Sequence, residues 1–261
     1  MTTQNYAGSQ VKSVDKAMYL LELLLKQRRP MTLQELSKTS GIPKSTIHAI
    51  LSTLRDHSII QQQEDGKYYL GVRLFECGCA VAAEWDIAKV AHPHLVQLAE
   101  QTDSSSFLAI MDSNECIIFD QYIPPSGSGL QIRQEPGSRQ PLHATAQGKL
   151  FLSSFSNADV LHRLNIRGMH AFTRHTITDP DKFLWELDNI RQRGYALEDG
   201  EHKIGMRAIA APVYDQNNQL KYAVGVVGLF SRVSSDDFQR AIAQTIQQAR
   251  QLSLAIGYQD F

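Results

Sequence analysis

From residue 13 to residue 56, apolar positions recur every third or fourth residue in three blocks, each closed by a turn signal. In SVDKAMYLLELLLKQ, the residues Val14, Ala17, Met18, Leu21, Leu24 and Leu25 define a helical stripe. Ser13 is the expected N-cap, and Asp15 sits in the first turn, where the helix dipole favours an anion. TLQELSKTSG follows, with Thr32 and Glu35 in the capping-box order T-x-x-E and Gly41 as the stop. In GIPKSTIHAILSTLRD, Ile47, Ile50, Leu51 and Leu54 fall at i, i+3, i+4 and i+7, with Pro43 in the first turn. IIQQQEDGKYYLG then offers two short extended runs around Asp65-Gly66, a hairpin signal. Three helices with a tight turn before the third, followed by a hairpin, predict a winged helix-turn-helix over residues 10–71.

The third helix has an unusual outer face. Ser45, Ala49 and Ser52 point away from its apolar stripe, flanked by Lys44, His48 and Arg55 on one side and Thr46 and Thr53 on the other. No acid occurs before Asp56. Small and hydroxyl side chains let such a helix sit deep in a major groove, where Lys44 and Arg55 neutralise phosphates and Ser45, Thr46 and His48 reach phosphates or base edges. Lys67 and Tyr68, near the hairpin tip, are placed to touch the backbone of the next groove. The competing reading is a three-helix bundle with a solvated polar face.

Residues 72–90, VRLFECGCAVAAEWDIAKV, read as a linker helix. Its small residues (Cys77, Gly78, Cys79, Ala80, Ala82, Ala83) permit close helix packing, and Leu74, Phe75 and Trp85 are candidate anchors. The contact is either with a second copy or with the chain's own C-terminal domain. From residue 91 to 261 the pattern turns mixed. HPHLVQLAEQT is helical, SSFLAIMD and ECIIFDQYI are strands, PPSGSG is a loop and LQIRQ a further strand. PLHATAQGKLFLSSF turns into a helix, DKFLWELDNIRQRGY is an amphipathic helix, RAIAAPVYDQNNQLKYAVGVVGLF is a hairpin and DDFQRAIAQTIQQARQLSLAIG closes the chain as a helix. The whole is an α+β protein.

Composition adds little and charge somewhat more. With 261 residues, 43% hydrophobic and 20% charged, the chain has room for two cores. No apolar run is long enough to span a bilayer and MTTQNYAGSQ lacks a signal-peptide core, so a cytoplasmic protein is expected. Three cysteines argue against a disulfide framework. Residues 1–75 hold 10 Lys+Arg against 6 Asp+Glu, whereas the remainder holds 16 against 21. That asymmetry suits a small polyanion-binding module on an acidic body, although it falls short of a dense basic patch. Cys77-x-Cys79 with His92-x-His94 lacks the spacing of a structural zinc motif, so no metal is expected. The EDGEHK cluster (Glu198, Asp199, Glu201, His202) reads as a polar loop rather than acid–base machinery. No nucleophile elbow, phosphate-binding loop or dinucleotide fingerprint is present, so no catalytic residue and no cofactor is assigned.

Taken together, SVDKAMYLLELL, TLQELSKTSGIPKSTIHAILSTL, KYYLGVRLFECG, PLHATAQGKLFL, IRQRGYALEDGEHKIGMRAIAAPVYD and AVGVVGL resemble the IclR-type bacterial transcriptional regulators over nearly the whole chain. The resemblance implies a winged helix-turn-helix, a linker helix and a GAF-like effector-binding domain. It also implies homodimers, often paired into tetramers, that bind palindromic operators in double-stranded DNA, with no membrane partner, and respond to a small organic acid. Three departures stand out: Ala49 replaces an arginine of the reading helix, Ala208 a cysteine, and Gly225, Val227 and Leu229 two serines and a proline of the final strand. By position, Thr145, Ala146 and Gln147 would offer helix N-terminal amides to a carboxylate, with Thr145 adding its hydroxyl. Asp199 matches a position near the pocket mouth, its alternative being a turn cap; Phe107, Tyr122 and Ile132 would form walls, and His143 would be a satisfied core histidine. Ala208, Gly225 and Val227 would make the pocket roomier and more apolar, suited to a carboxylic acid with a sizeable apolar or aromatic body. The function expected is an effector-controlled DNA-binding regulator, a repressor rather than an enzyme. The alternative is a small-molecule sensor or enzyme using the N-terminal domain only for assembly.

Overall fold

The computed structural model describes residues 11–83, 87–125 and 132–259. Trp85, most of the PPSGSG loop and the start of LQIRQ lie outside the described residues. The chain divides into two compact units between Asp86 and Ile87, so residues 87–90 of the expected linker fall within the first helix of the second unit.

The first unit holds α1 (Lys12–Gln27), α2 (Leu33–Ser40), α3 (Lys44–Asp56), the hairpin β1 (Ile60–Gln62) and β2 (Tyr68–Leu70), and α4 (Val72–Ala83). α1 starts before its expected cap: Val11 occupies the N-cap, and Ser13 lies inside the helix. Its buried residues are Leu20, Leu23 and Leu24, whereas Val14, Met18 and Leu25 are exposed. α1 is apolar on more than one face, and packing on α2, α3 and β2 selects which face is covered. α2 carries the expected capping box, Thr32 N–H donating to Glu35 Oε2 at 2.8 Å and Glu35 N–H to Thr32 Oγ1 at 3.2 Å. α3 buries Ile47 and Leu51, as its stripe predicts, and Pro43 serves as its N-cap instead of lying in its first turn. Met31 and Tyr68 exchange backbone hydrogen bonds of 2.9 and 2.8 Å, adding a third chain segment to the wing.

The second unit comprises α5 (Ile87–Thr102), β3 (Ser105–Asp112), β4 (Glu115–Tyr122), β5 (Arg139–Gln140), α6 (Ala146–Ser153), α7 (Asn157–Arg167), α8 (Pro180–Arg193), β6 (Ala196–Asp199), β7 (Arg207–Tyr214), β8 (Leu220–Gly228) and α9 (Asp236–Ala255). Its antiparallel sheet runs β5-β4-β3-β8-β7-β6. One face packs on α5 and α9 through Leu108, Ile209, Val224 and Val226 against Leu95, Phe238 and Leu252. The other packs on α6, α7 and α8 through Phe107, Ala109, Ile118, Ala208 and Val227 against Ala146, Leu150, Leu164 and Phe183. α7 and β6 are additions that the apolar pattern does not announce. Residues 132–134 of LQIRQ form no strand. Their backbone is held by a side chain, with Gln121 Nε2 donating to Ile132 O at 2.9 Å and Gln134 N–H donating to Gln121 Oε1 at 2.8 Å.

The loop after β6 brings charge into the interior. Lys149 Nζ on α6 lies 2.5 Å from Glu201 and 3.4 Å from Glu186, which Arg193 also reaches at 3.0 Å. Glu198, buried beside them, accepts from His202 N–H at 3.2 Å. Burial pushes its carboxyl up to about 7, against the hydrogen bond from His202. Burial raises Glu201 as well, and lowers the nearby His143 and His202.

Two outcomes are expected. A raised carboxyl pKa contributes stability that is complete below about 4.5 and lost as pH climbs through 7, because the native state holds the proton longer. The stability of Glu198→Gln relative to wild type should therefore grow between pH 5 and 8, by up to about 3 kcal/mol in urea titrations. The histidine contributions run the opposite way and cancel in that difference. At Gly225, an added Cβ would stand 2.0 Å from Ile209 O and 2.5 Å from the Phe107 ring. Gly225→Ala should thus cost about 2 kcal/mol or more by the same measurement.

Candidate functional site

On α3 the structure exposes Lys44, Ser45, His48, Ala49 and Arg55 and leaves Thr46 and Ser52 half-buried. Thr53 Oγ1 folds back onto Ala49 O at 3.2 Å, keeping that flank narrow. The first turn of α3 contains no acid and no side-chain cap, so its free N–H groups and Lys44 together present a positive end, as phosphate binding requires. Arg55 donates to Gln62 Oε1 on β1 at 3.1 Å, which ties the last turn of the helix to the wing. Lys67 is held by Asp65, Nζ to Oδ2 at 2.6 Å, and that ammonium keeps the Asp65 carboxyl below its ordinary range. The wing tip is therefore less cationic than Lys67 alone suggests. Tyr68 requires a correction: it is only 5% exposed, packed in the core with Met31, Leu36 and Ile60, and its side chain is not available to a DNA backbone. Tyr69 alternates to the other face and donates to Gln61 Oε1 at 2.5 Å.

In the second unit, Phe107, Ala208 and Val227 lie on the sheet face covered by α6, with Ala146 above them and Ile132 packed alongside. Three expectations fail there. Tyr122 faces the α5–α9 side, edge-on to His92 at 6.1 Å, because a register shift between Leu108 and Ala109 makes Phe119 an extra residue and reverses the alternation beyond it. Gln121 takes the inward place opposite Phe107, and both Gln121 and Tyr122 border a cleft of about 400 Å³ with Ile123, Arg133, Glu135 and Pro136. Asp199 is exposed and ion-paired with Arg207 at 2.7 Å, whereas its neighbour Glu198 is the buried one. Gly225 leaves no extra room, since the Phe107 ring lies over it.

The start of α6 is built as a cap. Thr145 Oγ1 donates to Pro141 O at 2.7 Å and accepts from Gly148 N–H at 3.2 Å, so its hydroxyl proton is already committed. The N–H groups of Ala146 and Gln147 begin the helix and have no partner within it. His143 is buried and bonded through Nε2 to His170 O at 3.0 Å, against the Phe172 ring. Sequence reasoning missed four buried polar side chains with partnerless atoms among the described residues: Ser105, Gln134, Gln248 and Gln147, the last expected only as a backbone donor. Their signal was a polar residue inside an otherwise apolar element. His92 bonds Asp120 and His94 bonds Gln248, and no group of three metal-ligating side chains occurs among the described residues. No helix among them is long and apolar enough to cross a membrane.

Comparison with known proteins fits both units. Residues 13–64 match the family described as the IclR helix-turn-helix domain, and residues 79–254 match Bacterial transcriptional regulator IclR C-terminal. The transcriptional repressor IclR of Escherichia coli strain K12 is 31% identical over 255 residues, covering 96% of this chain and 92% of the repressor. The crystal structure of an IclR transcriptional regulator from Alicyclobacillus acidocaldarius superposes with TM-score 0.82 at 28% identity, over 95% of this chain and all of that one. The inducer-binding domain of the Acinetobacter transcription factor PobR, a double mutant in complex with 3-hydroxybenzoic acid, gives TM-score 0.58 at 28% identity, over 63% of this chain and 96% of that one. The chain belongs to the IclR family of transcriptional regulators, which are not enzymes, and pairs a helix-turn-helix DNA-binding unit with a C-terminal ligand-binding domain.

Proposed function

We propose that the protein is a cytoplasmic repressor that binds a palindromic operator as a homodimer, with tetramers formed by pairing of dimers, and that a small organic acid controls its affinity. The observation that carries this reading is the outer face of α3: Lys44, Ser45, His48 and Ala49 exposed together, with no acid in the first turn. A helix so faced fits the floor of a major groove, with Ser45, Thr46, His48, Ala49 and Ser52 toward the bases and Lys44 and Arg55 toward phosphates. Lys67 serves as a wing contact once Asp65 releases it. Repression is supported by the E. coli relative, itself a repressor.

Self-association is supported by apolar surface left uncovered within the first unit. Val11, Val14, Met18 and Leu25 are exposed along α1, and on α4 Val72 and Phe75 are exposed, Phe75 by 70%. Such surface is what a second copy covers in a protein reading two half-sites.

The effector is a carboxylic acid with an apolar or aromatic body. The amides of Ala146 and Gln147 receive the carboxylate, and Phe107, Ile132, Ala208 and Val227 supply the walls. The hydroxybenzoate bound by the PobR domain, a relative of similar fold, is an acid of this kind.

A gel-shift against the region upstream of the protein's own gene tests the reading. Specific binding that falls steeply with salt is expected, as release of counterions from neutralised phosphates demands. Ser45→Glu should abolish it while leaving the melting temperature within a degree or two, because Ser45 is exposed. Sequence-independent or absent binding would favour the sensor or enzyme alternative. Sedimentation should show the Val14→Glu/Phe75→Glu double variant shifted toward monomer, with operator affinity reduced about tenfold or more. An unchanged oligomer would remove α1 and α4 as the interface.

A further inference from the structure

Gln147 is fully buried, and neither its Nε2 nor its Oε1 has a hydrogen-bond partner. Interiors seldom tolerate this, because a buried amide without partners keeps the whole penalty of leaving water. Its position explains where a partner would come from. At about 100° per residue, Gln147 and Lys149 project roughly 200° apart around α6. Lys149 reaches Glu201 and Glu186, on the loop after β6 and on α8. Gly148 lies between them, its backbone against Leu142, where an added Cβ would meet Leu142 Cα at 2.6 Å. Gln147 is thereby directed away from the partners of Lys149, on a helix that packs over β4, β6, β7 and β8.

The sheet face beneath α6 carries partnerless polar atoms of its own. Ser106 donates to Leu95 O on the α5 side, so its neighbour Ser105 faces the α6 side, buried and with a partnerless Oγ. Gln134 has its backbone fixed by Gln121, directly across from Phe107, yet its Oε1 lacks a donor. Two of these orphan atoms, Gln147 Oε1 and Gln134 Oε1, are acceptors. A carboxylate only accepts; it can satisfy the α6 amides and Gln147 Nε2, but not those two oxygens. Exchanging O and N of the Gln147 amide still leaves one acceptor and one donor without a partner, so the need for a donor rests on Gln147 and not on Gln134.

We infer that the Gln147 side chain contacts the effector directly, and that the effector carries an O–H or N–H donor in addition to its carboxylate: a hydroxy, amino or ureido acid. The inference rests on the acid-effector reading above and narrows it. An unsubstituted fatty or aryl acid fills the apolar walls but leaves Gln147 Oε1 without a donor.

Calorimetric titration of the full-length protein with matched acids tests it, using benzoate against 3- and 4-hydroxybenzoate, hexanoate against 6-hydroxyhexanoate, and pentanoate against ureidoacetate. The donor-bearing member of at least one pair should bind wild type about tenfold tighter or more. In Gln147→Leu and Gln147→Met that preference should shrink to about twofold, and both variants should melt no lower than wild type when no acid is added. Equal binding within every pair, a preference that survives both substitutions, or variants that melt several degrees lower would each overturn the inference, the last by revealing an internally bonded amide. If no acid of either kind binds wild type, the acid-effector reading itself falls, and this inference with it.

Discussion

The first turn of α6 is the constraint on which the ligand domain depends. Three contacts fix it. Thr145 locks the helix start to Pro141, Gly148 lets the backbone press against Leu142 where any side chain would collide, and Lys149 anchors the far side to Glu201. The last contact is costly to assemble, since a buried ammonium and carboxylate give up their hydration, and costly to break, since either alone is a buried unpaired charge. A helix pinned on three sides cannot rotate to hide Gln147 or to cap its own amides. The polar groups at its start are therefore held without partners from the protein.

On the sheet below, two local events decide which side chains face α6. The extra residue at Phe119 reverses the alternation of β4, sending Tyr122 to the α5–α9 side and turning Gln121 inward, where it holds residues 132–134 in place of a strand. The absence of a side chain at position 225 is used by the Phe107 ring, which spends as packing the space that the sequence offers as cavity. Neither event was legible. CIIFDQY alternates equally well in either phase, and a glycine opposite a phenylalanine matters only once the two strands are known to be neighbours. The same reasoning separates Asp199 from Glu198: adjacent acids on a strand face opposite sides, and without the sheet nothing says which side is inside.

The DNA-binding unit was more legible because its signals are local. The capping box at Thr32 and Glu35, the glycine stop at Gly41 and the stripe of α3 each involve residues within one or two helical turns, and each stands as expected. What failed there depends on partners far along the chain. Tyr68 is buried because Met31 pairs with it across 37 positions, and α1 hides Leu20 and Leu23 rather than Val14 and Met18 because α2, α3 and β2 choose the face. Tyr68 was expected at the surface, and the expected stripe of α1 did not include Leu20 or Leu23.

The joint between β2 and α4 constrains how any ligand signal can reach the reading helix. Gly71 N–H bonds Ile59 O at 2.8 Å and Arg73 N–H bonds Ser58 O at 3.2 Å, with Gly71 so close to Ser58 that a Cβ there would meet its carbonyl at 2.2 Å. α4 therefore leaves the wing from a stiff base, and a tilt imposed on α4 carries the wing and α3 with it instead of being absorbed by a loose hinge. In the dimer proposed above, an effector acting through α4 would change the setting of the two reading units against one another, which an operator of two half-sites would register as strain. Linkage then fixes the sign and size. An acid that loosens DNA by a given factor must bind the free protein more tightly than the complex by that same factor, and couplings of about 1–3 kcal/mol are typical. Completing a single buried orphan amide is worth about 1–3 kcal/mol, so the hydrogen bonds at the start of α6 are of the right magnitude to drive the switch, provided they form fully in only one of its two settings.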